Sequence, residues 1–144
     1  MKYKLFLNEK YEPEVHIYAN ERSELVNEII ALCEQDGVSL MGYCETESAP
    51  ISLLHTCCFI VEDKRIFALT DSGKWQIKCR LYRLEEILPQ NFVKINQSCI
   101  ANIKMIEKFE SSFAGALTVR FKNGYCDYVS RRNLKAVKER LGLK

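Results

Sequence analysis

The amino-acid sequence predicts a mainly β fold with two helices, one towards each end of the chain. Apolar residues recur at helical spacing over residues 21–35 and again over residues 131–141. Between these segments, from Leu40 onward, short runs of branched and aromatic residues alternate with polar residues at a period of two, and turn sequences separate several runs. We therefore expect a multi-stranded sheet flanked by an N-terminal and a C-terminal helix.

The composition restricts the class of protein further. The 144 residues are 47% hydrophobic and 28% charged, which fits one globular domain, either alone or with a small appendage, and excludes wholesale disorder. No apolar run reaches the length of about 18 residues that a transmembrane helix needs, and acids follow the start too early for a secretory signal. Seven cysteines without a CxxC pair are typical of a reduced intracellular protein. We expect a cytoplasmic location.

The first 37 residues are predicted to form two short strands and an amphipathic helix. The strands are expected at residues 2–8 and 15–19, with a turn between them. The helix is expected over residues 21–35, with Asn20 as its N-cap and Gly37 as its stop. Its apolar stripe consists of Leu25, Val26, Ile29, Ile30 and Cys33.

Seven strands are predicted before the C-terminal helix, at residues 57–61, 65–69, 75–80, 92–95, 98–103, 117–122 and 125–129. Tight turns at residues 71–74 and 122–125 join consecutive strands, and the Asn-Gly of the second turn is a strong hairpin signal. A short helical turn at residues 83–88 interrupts the strands. The last helix is predicted over residues 131–141.

Charge is distributed unevenly along the chain. Residues 1–63 contain twelve acids and four bases, residues 64–91 contain six bases and three acids, and residues 92–144 contain eleven bases and four acids. The net charge of +2 is therefore the balance of an acidic first part and a basic second part. Such a split favours a basic half that meets a polyanion, with nucleic acid as the first candidate. A solvated surface on which charges happen to segregate is the alternative.

Residues that could support catalysis or hold a metal are scarce. The two histidines, His16 and His55, have no second set of ligands to complete a tetrahedral site, and phosphate-binding and hydrolase motifs are absent. Glu85 and Glu86 are adjacent on a helical turn, so their side chains point apart and suit a solvated face better than an acid–base pair. We expect no catalytic residue, no metal, no cofactor and no small-molecule substrate.

Basic and polar residues gather at three junctions between predicted elements, where a rigid scaffold can hold side chains out to a partner. Nine of them form the candidate DNA-binding set. In the order of the three junctions they are Lys64 and Arg65; Lys94, Asn96, Gln97 and Ser98; and Arg131, Arg132 and Asn133.

The chemistry of this set suits DNA. Arg131 and Arg132 would occupy the first turn of the last helix, where the helix dipole disfavours cations by roughly 0.3–1 kcal/mol each. A bound phosphate would reverse that penalty, and an arginine fork can also read guanine edges. The amides of Asn96 and Gln97 can pair with adenine edges. Simple extension into water is the alternative for the arginines, and an ordinary loop role is the alternative for the amides.

Two blocks of the sequence resemble the LytTR DNA-binding domain family. The family core, with its LEE, its leucine-proline turn and the pattern F-x-[RK]-[IV]-x-x-S-x-[IL]-x-N, is similar to residues 81–109, LYRLEEILPQNFVKINQSCIANIKMIEKF. The closing Asn-Gly hairpin, Ser-Arg junction and terminal helix of the family are similar to residues 121–142, FKNGYCDYVSRRNLKAVKERLG. The opening strand and acidic helix resemble a stand-alone subgroup that lacks a phosphoreceiver domain.

This resemblance implies an elongated β-sheet domain that binds promoter DNA through loops and regulates bacterial transcription. Base contacts would fall near Lys64, on Gln97 and on Arg132. The implied partners are double-stranded DNA, a second copy of the chain on that DNA, and a small membrane protein as regulator. We expect residues 51–144 to form the DNA-binding domain and residues 1–50 to form an acidic strand–helix segment packed on it.

Some positions depart from the common family pattern. Lys94 replaces a frequent arginine, Asn96 stands where serine or histidine is usual, and residues 133–134 replace an aromatic residue of many members. These differences bear on the target sequence. The alternative to DNA binding is a non-catalytic protein–protein interaction module whose basic loops dock on an acidic partner. Binding to RNA is disfavoured because no surface aromatic ladder for stacking bases is evident.

Overall fold

A computed structural model describes residues 2–12, 14–35, 39–112 and 115–142 of the chain. The chain divides into two compact units, Met1–Glu34 and Gln35–Lys144. The helices of the described residues are α1 (Glu24–Gln35), α2 (Leu81–Ile87) and α3 (Arg131–Leu141). The strands are β1 (Met41–Cys44), β2 (Glu47–Pro50), β3 (Thr56–Glu62), β4 (Arg65–Thr70), β5 (Gly73–Ile77), β6 (Phe92–Asn96), β7 (Cys99–Asn102), β8 (Ile106–Ser111), β9 (Leu117–Phe121) and β10 (Cys126–Val129).

The N-terminal unit contains one helix, and its two predicted strands are wrong as far as the structure describes them. Residues 2–8 and 15–19 are irregular and make no ladder with another strand, and a strand is stable only when its backbone groups are paired. Helix α1 begins later than predicted because Ser23, and not Asn20, caps it. The Ser23 hydroxyl accepts a hydrogen bond from the backbone N–H of Val26 at 3.3 Å. The predicted stop at Gly37 lies outside the described residues.

The second unit is built from two antiparallel sheets, and the mainly β prediction is confirmed. The larger sheet has seven strands in the order β2-β1-β5-β4-β3-β7-β6, and the smaller has three in the order β10-β9-β8. All seven predicted strands are present, with ends that differ by a few residues. Helix α3 has the predicted bounds, whereas α2 lies two residues earlier at its start than the predicted helical turn.

Three strands escaped prediction, namely β1, β2 and β8. Residues 41–50 are predicted to belong to the N-terminal segment. In the structure they form β1 and β2 and extend the larger sheet through pairing of Tyr43 with Gln76. Strand β1 contains Gly42, where a Cβ atom would collide with Ile51 and Trp75. A glycine at a close approach of this kind weakens the strand pattern in the sequence.

Two hairpin turns have backbone conformations that matter for the surface. In the β3–β4 turn, Asp63 has a φ of 51° and Lys64 a φ of 65°, which is the pattern of a two-residue type I′ turn. In the β9–β10 turn, Gly124 has a φ of 91°, and its N–H donates to the Phe121 carbonyl at 2.9 Å. The second turn therefore uses its glycine, while the first places a lysine in the left-handed region.

The core lies on both faces of the larger sheet, and strand β3 is its centre. Cys58 and Ile60 of β3 belong to a buried cluster on one face with residues of the smaller sheet and with Val137 of α3. Phe59 faces the opposite side and packs in a second cluster that contains Leu84 of α2. Strands buried on both faces make a rigid platform, so the turns at their ends are held in fixed positions.

Candidate nucleic-acid interface

Three loops meet at one end of the seven-stranded sheet. They are the β3–β4 turn at residues 63–64, the β6–β7 turn at residues 97–98, and the β10–α3 junction at residues 130–133. The N–H of Val61, in the strand β3 that leads into the first loop, donates to the Ser98 carbonyl of the second loop at 2.9 Å. The Ser130 N–H of the third loop donates at 2.8 Å to the carbonyl of Ile95, in the strand β6 that leads into the second loop. Sequence reasoning named these three loops, and the fold brings them together.

The first loop presents two cations. Lys64 and Arg65 are both exposed, and neither forms an ion pair with any residue that the structure describes. The positive φ of Lys64 costs about 1 kcal/mol relative to glycine, because an L side chain is crowded in the left-handed region. A lysine at this position therefore needs a reason other than stability.

The second loop carries exposed Gln97 and Ser98, but Asn96 does not lie on the surface as expected. Only 1% of Asn96 is exposed. Its Nδ2 donates to Asp127 Oδ1 at 2.9 Å and to the Tyr128 carbonyl at 2.8 Å. Its Oδ1 accepts from the Ser98 N–H at 2.8 Å. The Asn96 side chain thus makes its hydrogen bonds within the protein and fixes the turn that presents Gln97.

Asp127 is the partner that sequence reasoning missed. Besides Asn96, its carboxylate accepts from the Tyr125 hydroxyl at 3.0 Å and from the Tyr128 N–H at 2.8 Å. Burial raises the pKa of Tyr125, and the negative charge of Asp127 raises it further. The hydroxyl therefore stays protonated and can donate this hydrogen bond. No local signal reveals this role, because Asn96 and Asp127 stand 31 residues apart.

Lys94 is less available than the other cations of the set. Its ammonium lies 3.3 Å from Glu85 Oε1, and 37% of each of the two side chains is exposed. The carboxylate therefore offsets part of its charge. A surface pair of this kind is worth at most about 1 kcal/mol, so Lys94 can still exchange Glu85 for a phosphate.

The third loop opens helix α3. Arg131 and Arg132 are exposed, and the first turn of the helix contains no acid. Asn133 is half-buried, and its Nδ2 donates to the Ser130 hydroxyl at 2.8 Å. Its side chain therefore holds the third loop in position. Two cations at the positive end of a helix have an unfavourable electrostatic energy unless an anion binds there.

Comparisons with known proteins identify the family to which the chain belongs. Residues 50–142 match the family model described as the LytTr DNA-binding domain. The chain belongs to this family. LytTR relatives of similar length include an uncharacterized HTH-type transcriptional regulator of Staphylococcus aureus strain MSSA476, which is 37% identical over 146 residues that cover 99% of both chains. A relative with the same description in strain NCTC 8325 / PS 47 is 36% identical with the same coverage.

A solved LytTr DNA-binding domain from Bacillus cereus has the same fold. It superposes with a TM-score of 0.70 at 19% identity, over 74% of this chain and all of the solved one. Among the described helices of this LytTR chain, none is long and apolar enough to cross a membrane. In the same residues no three His, Cys, Asp or Glu side chains stand close enough together to hold a metal ion.

Proposed function

We propose that this protein is a sequence-specific DNA-binding regulator of transcription that contacts promoter DNA through the three loops. The observation that carries the proposal is the convergence of the loops at one end of a rigid sheet. Backbone hydrogen bonds join the second loop to the strand before the first, and the third loop to the strand before the second. Exposed cations and an exposed amide on fixed loops are what a duplex requires from a partner. Membership of the LytTR family supports the same conclusion.

The residues divide into three roles in this proposal. Gln97 and Arg132 are exposed and have side chains that can read base edges in the major groove. Phosphate contacts are assigned to the remaining exposed members of the set, Lys64, Arg65, Ser98 and Arg131, with Lys94 beside them. Asn96 and Asn133 position the loops and do not touch DNA.

Loops, and not a recognition helix, make the contacts in this proposal. The relatives are described as HTH-type, but strands separate every pair of helices in the part of the chain that the structure describes. A helix-turn-helix needs two helices joined by a short turn. Helix α3 instead directs its N-terminus, with Arg131 and Arg132, towards the proposed duplex.

The experiment that tests the proposal is selection of binding sites from a random DNA pool with the full chain. The selected duplex should bind at least about 10³-fold more tightly than a scrambled one. Affinity measured against salt concentration should fall with a log–log slope near −4, because each of the four cations assigned to phosphates contributes about −0.9. Absence of enrichment would overturn the proposal, and a shallow salt dependence would favour the docking of an acidic protein on the basic loops. Pairing of two copies on DNA and regulation by a small membrane protein stay predictions. Residues 41–50 of the expected acidic segment pair within the larger sheet, and the packing of the remainder of residues 1–50 on the rest stays a prediction.

A further inference from the structure

A basic cleft lies beside the first loop, and some of its cations lie outside the three loops. The cleft is open, measures about 600 Å³ and is lined by Lys64, Arg65, Lys78 and Arg80 above a floor that includes Ile66 and Ile77. Among the described residues no carboxylate lines it. A cleft with one sign of charge and apolar walls concentrates the electric field on an anion inside it.

The register of the sheet explains how Lys78 and Arg80 reach this place. Ile66 of β4 pairs with Ile77 of β5 in an antiparallel ladder. Arg65, which precedes Ile66, is therefore placed alongside Lys78, which follows Ile77. The chain then continues past the end of the sheet to Arg80, which precedes α2. Residues 78–80 therefore border the end of the sheet that also carries the three loops.

The cations of the cleft are available, whereas bases nearby are paired. Lys74 lies 2.7 Å from Glu62, and Arg83 lies 3.0 Å from Glu86. By contrast, none of the four cleft cations forms an ion pair within the described residues. The Lys78 ammonium sits 4.2 Å from the centre of the Tyr43 ring, a contact that orients the charge without neutralising it.

We propose that this cleft binds the sugar–phosphate backbone of the same duplex that the three loops contact, with Lys78 and Arg80 as phosphate ligands. The proposal rests on the proposed function, because Lys64 and Arg65 belong to both surfaces. In the strand order, β5 is three strands away from β7, which is about 14 Å at about 4.8 Å per strand. That distance slightly exceeds the major-groove width of about 12 Å, so a duplex read at the β6–β7 turn has backbone within reach of the cleft.

The test compares two double variants of the full chain on the selected duplex and on a scrambled one. Lys78→Met with Arg80→Gln removes both charges and keeps the length of the side chains. The matched control, Lys104→Ala with Lys108→Ala, removes two exposed cations beyond the opposite end of β7. Urea unfolding of each variant verifies that it is folded, and Lys78→Arg with Arg80→Lys restores the charges if the first variant is unstable.

The cleft variant should lose affinity equally for both duplexes and keep the ratio between them. Two phosphate contacts correspond to a change of about 1.8 in the salt slope, which amounts to about 30-fold in affinity at 0.15 M salt. Hydroxyl-radical footprinting should show lost protection of the backbone that flanks the selected site. The control and the charge-restored variant should keep the wild-type slope.

The outcomes separate this inference from the proposed function. If the wild type discriminates between the duplexes and the cleft variant keeps its affinity, slope and footprint, the inference is wrong while the proposed function stands. If the cleft variant loses the difference in affinity between the selected and the scrambled duplex, Lys78 or Arg80 contacts a base. That result would also overturn the inference. If the wild type does not discriminate at all, the proposed function fails and the cleft proposal fails with it.

Discussion

Replacement of Asn96 by alanine should weaken the coupling between the second loop and the third. The substitution removes two hydrogen bonds that join the β6–β7 turn to Asp127 and to the Tyr128 carbonyl, at 2.9 and 2.8 Å. It also removes the bond within the turn from the Ser98 N–H to Asn96 Oδ1, at 2.8 Å. The exposed Ser98 N–H can turn to water, and Asp127 Oδ1 keeps the Tyr128 N–H as a donor. The Tyr128 carbonyl loses its side-chain donor and, lying against a buried amide, has no ready replacement.

The expected loss of stability is about 2–4 kcal/mol. An unsatisfied buried polar group costs about 1–3 kcal/mol, and the space left by a side chain that was 1% exposed adds to this cost. The neighbour Gln97 provides the control, because it is exposed in the same turn. Gln97→Ala should change the free energy of unfolding by no more than about 0.5 kcal/mol.

Urea unfolding measures the first effect, and binding to a selected and a scrambled duplex measures the second. Under conditions in which the variant is folded, Asn96→Ala should reduce discrimination between the duplexes although Asn96 touches no base. Among the residues that the structure describes, the loops that carry Gln97 and Arg132 would then keep only the backbone hydrogen bond from Ser130 to Ile95. Contacts that require a fixed geometry weaken when part of their support is lost. The reasoning is refuted if Asn96→Ala is as stable as Gln97→Ala, or if it is unstable but discriminates like the wild type.

Other substitutions have separate expected outcomes. Arg132→Ala and Gln97→Ala should each weaken binding to the selected duplex by about 1–3 kcal/mol more than to a scrambled one; equal losses in a titration would make them phosphate contacts. Lys94→Ala should lower affinity for all sequences and change the salt slope by at most about one unit, since Glu85 already offsets part of its charge. An unchanged slope would indicate that the Lys94 side chain faces away from DNA. Lys64→Gly should stabilise the fold by about 0.5–1 kcal/mol in urea while weakening binding to every duplex; a less stable variant would contradict the strain argument. The raised pKa of Tyr125 means that stability is present below the ordinary value of 10 and is lost as pH rises above it; this loss should be smaller in Tyr125→Phe, and equal alkaline unfolding profiles would exclude the contribution.

The alternation of apolar and polar residues predicted the strands that bury one face and end in a turn with a clear sequence signal. The β9–β10 hairpin is an example, because Val119 and Phe121 alternate with polar residues and Gly124 supplies the positive φ. Strand β8 escaped because it is an edge strand whose residues are mostly exposed. Its pairing with β9 defines it, and a partner strand leaves no periodic signal in the edge itself.

The candidate site could be predicted as three loops but not as a network. Residues exposed in turns, such as Gln97 and Arg132, follow from the position of strand ends. The burial of Asn96 depends on Asp127 and Tyr128, which are 31 and 32 residues away. Only the docking of the smaller sheet on β6 brings them together, so composition and spacing could not distinguish a base reader from a positioning residue.

Three cations at this end of the sheet occupy positions that the backbone disfavours. Lys64 has a positive φ in a turn that glycine would fill at lower cost, and Arg131 and Arg132 stand at the positive end of α3, where acids would stabilise the helix. None of the three gains an ion pair among the described residues. A bound phosphate makes the electrostatic energy at the start of α3 favourable, because it attracts both the helix N-terminus and the two arginines. It also attracts the Lys64 ammonium, but it does not relieve the strained backbone of Lys64. Binding of a polyanion would therefore recover, mainly at the helix, the free energy that the isolated fold loses at these positions. This is the physical argument for the proposed DNA interface over a solvated surface.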